Sequence, residues 1–283
     1  MPLQFNEYYH GTTGLTVGIT KLLFSEQSEF QLVEVYETDS WGNMMVIDGM
    51  VMLSEKDEFV YHEMLTHVGL FSHPDPRKVL IIGGGDGGTA REVLKHPSVQ
   101  TADLVEIDET VVRAAKQYLP DVGHFDHPRL NVIYENGLTF VARAKNQYDV
   151  IIIDGSDPVG PAVDLFTREF YQNCHRALTE QGVLTAQTES PWVPAYHNSI
   201  KTLFSSLDET FNTSAMYLGF VPLYPAGMWS FAFAGKGVHA LAPEVLHRVS
   251  SAGAVLQDLK YFNAEVHAAS FALPNFVRDI LFR

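Results

Sequence analysis

Several things are scarce in this chain of 283 residues, and each scarcity narrows what it can be. Its single cysteine, Cys174, excludes an internal disulfide and any zinc site built from thiolates. Cations are few: 19 Lys and Arg stand against 34 Asp and Glu, a formal charge of −15. Nucleic acid is therefore not an expected partner, because phosphate binding needs a basic face. No apolar run approaches the ~20 residues of a membrane span, so no membrane association is expected. The opening Met1-Pro2-Leu3-Gln4-Phe5-Asn6-Glu7 has neither a basic region nor an apolar signal core. A reducing cytoplasm is the expected compartment. Repeats and low-complexity tracts are missing too, which leaves an ordinary globular protein large enough for one main domain and a smaller companion.

What is present begins with a strand-like, turn-punctuated region from about residue 16 to 53. Gln31-Leu32-Val33-Glu34-Val35-Tyr36 alternates, and Asp48-Gly49 turns the chain between two apolar runs. A small antiparallel sheet is expected there. Ser54-Glu55-Lys56-Asp57 fits a capping box, and Val60, Met64 and Val68 extend an apolar helical stripe to about Leu70. Ser72-His73-Pro74-Asp75-Pro76 then breaks the helix, so the expected domains are residues 1–72 and 73–283.

Beyond Arg77 strands and helices alternate. Strands are expected at 78–82, 102–107, 130–134, 150–154 and 183–187, with helices at 89–95, 110–119, 137–144 and 167–178. Segments 213–218 and 228–233 read as a closing strand pair. Of the last ~45 residues only a helix near 243–251 is legible. The alternation predicts an α/β fold with a doubly wound parallel sheet, in which ligands bind at the carboxyl ends of the strands.

Three acid-bearing loops fall at those ends: Gly83-Gly84-Gly85-Asp86-Gly87-Gly88, Glu106-Ile107-Asp108 and Asp154-Gly155-Ser156-Asp157. The first satisfies the G-x-G-x-x-G spacing, and Glu106 follows about twenty residues later, where an acid holds ribose hydroxyls. A nucleoside ligand is expected. Asp86 would repel a pyrophosphate in that loop but welcome a nucleoside that carries positive charge, such as an S-adenosyl sulfonium compound. Asp154 sits at a strand's carboxyl edge, where catalytic groups gather; Asp157 serves equally well as a turn cap before Pro158. His62-Glu63 and His67 do not make a zinc motif: the two histidines lie five residues apart and point ~140° from each other on a helix.

These blocks, together with Asp57-Glu58-Phe59-Val60-Tyr61-His62-Glu63-Met64 and Tyr224-Pro225-Ala226-Gly227, resemble the polyamine aminopropyltransferases of the spermidine synthase type. The resemblance implies a small N-terminal β-domain before a methyltransferase-like Rossmann domain. It implies aminopropyl transfer from decarboxylated S-adenosylmethionine, the co-substrate, to a diamine, usually putrescine, with no cofactor and no metal. By position it implies Asp154 as general base. Gln31, His62, Asp86, Glu106, Asn136, Gly137 and Pro161 fall on donor positions. Tyr61, Asp154, Asp157, Gln187, Glu189 and Tyr224 fall on the acceptor channel, with Glu7 closing its far end. A homodimer or homotetramer built partly through the N-terminal strands is also implied. The chain departs from the family's pattern at Asn136, where aspartate is commoner, at Met52, where glutamine is frequent, and at Gly155, where serine or cysteine is usual.

Agmatine, cadaverine or another amine is an alternative acceptor. A methyltransferase and a non-catalytic nucleoside-binding homologue are the readings from other classes. Ile81 counts against the methyltransferase, because those enzymes commonly carry an acid two residues before the first glycine of the loop.

Overall fold

The computed structural model describes residues 3–9, 11, 13–155 and 167–282. Strands β1 (Leu3–Tyr9), β2 (Thr13–Gln27), β3 (Leu32–Thr38), β4 (Asn43–Ile47) and β5 (Met50–Ser54) form an antiparallel sheet in chain order. Asp48 and Gly49 both take positive φ, 49° and 80°, which matches the twist of a two-residue hairpin. The first hairpin starts at residue 3, well before the expected residue 16. Only Phe5, Tyr9 and Val17 of it are buried, and most of β2 is exposed or half-buried, so its buried face is short and the pattern is faint in the sequence.

Helix α1 (Glu58–Ser72) follows, but the expected capping box does not form. Ser54 Oγ donates to Asp57 Oδ1 at 2.6 Å, and Asp57 Oδ2 accepts from the Leu223 amide at 3.0 Å. The buried Asp57 therefore ties the end of β5 to a distant loop. Nearly the whole surface of α1 is buried, and Val60, Met64, Leu65 and Val68 share one core with residues of the second sheet. A division at residue 72 thus assigns to the first unit a helix that packs in the second.

The second sheet comprises β6 (Lys78–Gly83), β7 (Thr101–Glu106), β8 (Leu130–Tyr134), β9 (Tyr148–Asp154), β10 (Leu178–Gln187), β11 (Thr213–Phe220) and β12 (Met228–Gly235). Their order is β11-β12-β10-β9-β6-β7-β8. The five strands from β10 to β8 are parallel, and β12 is antiparallel to both neighbours. Helices α2 (Gly88–Leu94), α3 (Glu109–Tyr118), α4 (Gly137–Arg143), α5 (Arg168–Ala177) and α6 (His197–Thr210) connect these strands. Alternation sends Val79 and Ile81 into the core beneath α1, and Leu80 and Ile82 into the opposite core, with α5 and α6. Asp103, the polar break in β7, is satisfied by the Tyr148 hydroxyl at 2.9 Å and the Asn131 amide at 2.8 Å.

The tail folds as α7 (Pro243–Ser251), α8 (Gly253–Leu256), α9 (Ala264–Ser270) and α10 (Asn275–Phe282). Glu63 on α1 pins it: its carboxylate accepts the backbone N–H groups of Lys260, Tyr261 and Phe262 at 2.8, 2.8 and 2.7 Å. Residues of α3 pack against Val33, Val35, Met45 and Ile47 of the small sheet, so the two sheets share a third core. No helix among the described residues is long and apolar enough to cross a membrane.

Candidate active site

In the large sheet the chain order reverses between β6 and β9. At such a switch point the loops leave in opposite directions and open a crevice. Gly83, the last residue of β6, pairs with Asp154, the last residue of β9. The glycine loop closes onto it: the Gly84 amide donates to the Asp154 carbonyl at 2.8 Å. Gly83 takes φ +82°, and a Cβ there would lie 2.2 Å from that carbonyl oxygen. Glycine is required at this point by conformation and by space.

One cavity occupies the crevice. The large sheet lines it with Gly83, Gly84, Gly85, Asp86, Glu106, Asn136, Gly137, Asp154, Gly155 and Gln187. Tyr61 and His62 come from α1, Tyr224 and Trp229 from the β11–β12 hairpin, and Glu7, Gln31 and Met52 from the small sheet and its loops. The expected donor and acceptor residues are brought together here with three exceptions. Asp157 and Pro161 lie outside the described residues. Glu189 is buried beyond the end of β10, where its backbone pairs with Ser230, and it is not among the residues that line the cavity. The strand stops at Gln187, so the alternation that would have carried Glu189 to the same face as Gln187 stops with it.

Asp154 is buried, and each of its carboxylate oxygens already accepts one hydroxyl. Tyr61 donates to Oδ1 at 2.7 Å and Thr89 donates to Oδ2 at 2.6 Å. Burial, followed by the nearby charge of Asp86, raises its pKa above the usual carboxylate value; His62 and the two hydroxyls only partly offset this. Burial, reinforced by the Asp154 charge, holds the Tyr61 phenol well above its usual range, so it remains a donor.

His62 lies between two acids. Its Nδ1 is 2.6 Å from Glu58 Oε2 and its Nε2 is 3.2 Å from Asp86 Oδ1. Burial opposes its charge, but Asp86 and Glu58 outweigh burial and place its pKa well above the ordinary histidine value. Asp86 mirrors it. Burial works against ionisation there, while the His62 charge and hydrogen bonds from His62 and the Gly88 amide keep the carboxyl below its usual range. Behind them Arg91 grips Glu58 with two guanidinium nitrogens, at 3.0 and 2.8 Å. His62, Asp86 and Asp154 bring possible metal ligands within 4.8 Å of one another. An imidazolium that donates from both nitrogens has no lone pair for a metal, so the donor set does not fit one.

At the end of β7, Glu106 accepts the Gly85 amide at 3.1 Å and the Asp108 amide at 2.9 Å. Burial pushes its pKa up to about 7 in spite of these bonds. Asn136 caps α4, its Oδ1 accepting the Leu138 amide at 2.8 Å. On the opposite side, Gln187 donates to the Gly155 carbonyl at 2.9 Å, and among the described residues its buried Oε1 accepts nothing. Tyr224 reaches across to the Met52 carbonyl at 2.5 Å, and its ring lies 5.6 Å from that of Tyr61. It sits in a tight loop in which Ala226, not a glycine, takes φ 58°. Glu7 Oε2 accepts the Val51 amide at 2.9 Å, which fixes its carboxylate on the cavity wall.

Sequence reasoning does not find Thr89, Glu58, Arg91 or Trp229. Trp229 reads as one more strand aromatic, and its Nε1 is buried with no partner among the described residues. Thr89 carries no signal until the sheet places α2 beside β9.

Fold and site together define a transferase of the methyltransferase-like class, with a nucleoside crevice bordered by acids. Comparison with known proteins sharpens the class. Residues 58–242 match the spermine/spermidine synthase domain, and residues 4–55 match the spermidine synthase tetramerisation domain. The polyamine aminopropyltransferase of Bacillus subtilis is 44% identical over 99% of both chains. That of Thermotoga petrophila is 47% identical over 99% of this chain and 94% of its own. Two solved structures, each 45% identical and matched over 99% of this chain and 96% of theirs, superpose closely. One is a spermidine synthase in complex with the transition-state analogue AdoDATO (TM-score 0.93), and the other is the spermidine synthase from Thermotoga maritima (TM-score 0.91). The chain belongs to the spermine/spermidine synthase family, and its chemistry is that of a polyamine aminopropyltransferase.

Proposed function

We propose that this enzyme moves the aminopropyl group of decarboxylated S-adenosylmethionine onto putrescine, yielding spermidine and methylthioadenosine, with Asp154 as general base. The observation that carries this reading is the placement of Asp154. It is buried at the switch point, its two oxygens are oriented by Tyr61 and Thr89, and Asp86 lies beside it.

The acceptor amine has a solution pKa near ~10.4 and enters as ammonium. Desolvation lowers that value and raises the carboxylate's, which narrows the gap a proton must cross. The proton passes to Asp154, and the amine's freed lone pair attacks the carbon beside the sulfonium sulfur. A C–N bond forms as the C–S bond breaks, and the electron pair stays on sulfur, which leaves as a neutral thioether. Alignment supplies the rest.

Asp86 would hold the donor's ammonium and Glu106 its ribose, with Gln31, Asn136 and Gly137 around the base. Asp86 would also repel the carboxylate of intact S-adenosylmethionine, which disfavours methyl transfer. Gln187, Tyr61 and Tyr224 would receive the acceptor amine, with Glu7 at the distal end; Asp157 and Pro161 are proposed from sequence position alone. We further infer a cytoplasmic homodimer or homotetramer assembled through the N-terminal sheet, in keeping with the tetramerisation-domain match.

The test incubates the enzyme with decarboxylated donor and a panel of putrescine, cadaverine and agmatine, and follows methylthioadenosine and the product amine. Spermidine formed fastest from putrescine supports the reading. Faster turnover of another amine reassigns the acceptor, and no product from any amine overturns the reading.

A further inference from the structure

The hydroxyl that meets the second oxygen of Asp154 belongs to Thr89, a fully buried residue in the first turn of α2. Thr89 does not itself line the cavity. Its Oγ1 gives its hydrogen bond to Asp154 Oδ2 at 2.6 Å. The helix that carries it grows directly out of the glycine loop, which is itself bonded to the Asp154 backbone through Gly84. Loop, hydroxyl and base therefore form one closed unit.

We propose that Thr89 is a positioning residue for the transfer reaction: its hydroxyl fixes the orientation of the Asp154 carboxylate and favours its proton-accepting form. A carboxylate held by two hydroxyls cannot rotate without breaking one of them, so its remaining lone pairs face a fixed direction. A hydrogen bond to the charged form also favours that form. Both consequences rest on the reading of Asp154 as base.

The groups that face Asp154 separate this effect from others. Among the described residues these are Asp86 from the glycine loop, Tyr61 and His62 from α1 (the latter backed by Glu58 and Arg91), Thr89 from α2 and Gln187 from β10. Asp86 raises the carboxyl's proton affinity; His62, Tyr61 and Thr89 lower it. Thr89 is the one donor of that set that can be removed with no change of charge and outside the cavity wall.

The experiment measures kcat against pH at saturating donor and amine for wild type, Thr89→Val and Thr89→Ser. Losing one hydrogen bond to a charged acceptor should move the acid limb up by about one pH unit, a roughly tenfold loss of rate on that limb. Serine should return the limb to its wild-type position. Should valine not be accommodated, Thr89→Ala carries the same expectation. In an Asp154→Asn background, Thr89→Val should leave the residual rate and its pH dependence unmoved. An acid limb that stays in place in a folded Thr89 variant, while Asp154→Asn is inactive, overturns the role of Thr89 alone. Full activity of Asp154→Asn overturns the base reading instead.

Discussion

Gly84 and Asp154 are fitted to each other: the glycine amide bonds the aspartate carbonyl at 2.8 Å, and a Cβ on Gly84 would stand 2.7 Å from Asp154 Oδ2. Gly84 also takes φ +71°, which costs an L-residue roughly 1–2 kcal/mol. Gly84→Ala should therefore lose roughly 1–2 kcal/mol of stability and most of its activity, because the added methyl displaces the carboxylate. Thermal unfolding paired with kcat checks this; a folded, fully active variant would show that the close approach is not needed.

Asp154→Asn keeps the shape of the site and removes the proposed base. A drop in kcat of about 10²–10⁴ is expected, with methylthioadenosine binding changed by less than threefold. Calorimetric titration of that product beside steady-state kinetics separates the two effects. A normal kcat would remove Asp154 from the proton transfer.

Asp86 has one oxygen committed to His62 and the Gly88 amide, which leaves the other for a ligand. Asp86→Asn should weaken the decarboxylated donor by roughly tenfold or more and affect intact S-adenosylmethionine far less. Equal losses for the two would contradict selection by charge.

Burial raises the folded-state pKa of Glu106 from 4.5 to about 7, so the folded protein binds the extra proton more tightly than the unfolded chain. The group is neutral at no cost below pH 4.5; its contribution turns unfavourable as pH rises through that window and is fully so above about 7. Ribose hydroxyls donate best to the ionised form. Methylthioadenosine should then bind more weakly as pH falls through about 7, and Glu106→Gln should flatten that dependence. An unchanged pH dependence in the variant would assign it to another group.

Glu63→Ala removes an acceptor shared by three backbone amides, that of Phe262 fully buried and those of Lys260 and Tyr261 partly so. A loss of about 3 kcal/mol is expected from denaturant unfolding, with faster amide exchange at residues 260–262. Wild-type stability would mean that those amides find other partners.

The legible features were those written in local pattern. Glycine loops and acids placed after apolar strands located the crevice, because the carboxyl end of a parallel strand has one chemical texture. Pairings across the sheet were not legible. Nothing near Thr89 announces Asp154, and nothing near Glu63 announces a loop almost two hundred residues away. The His62-Glu63 and His67 cluster illustrates the limit. Spacing excludes zinc, yet only packing shows three separate duties: His62 on Asp86, Glu63 on the tail, and His67 bonded to Glu92 and His96, each at 2.9 Å. Helix α6 escaped although Ile200, Leu203, Phe204 and Leu207 carry its period. The first hairpin escaped for the opposite reason: only Phe5, Tyr9 and Val17 of it are buried, too few to set a clear period.

The row Asp86, His62, Glu58, Arg91 and Glu92 alternates in sign from the cavity into the protein, each member within 3.2 Å of the next. Such a row behaves like a short, largely buried ionic lattice: each inner charge is offset by its neighbours, Glu92 is paired in turn with Lys95, and the Asp86 end faces the cavity. Dissolved ions screen exposed charges over about a Debye length but barely reach a buried series. Added salt will therefore weaken the long-range pull of a −15 protein on its cationic substrates and slow their arrival. Discrimination between donors, once they are inside, will persist in brine.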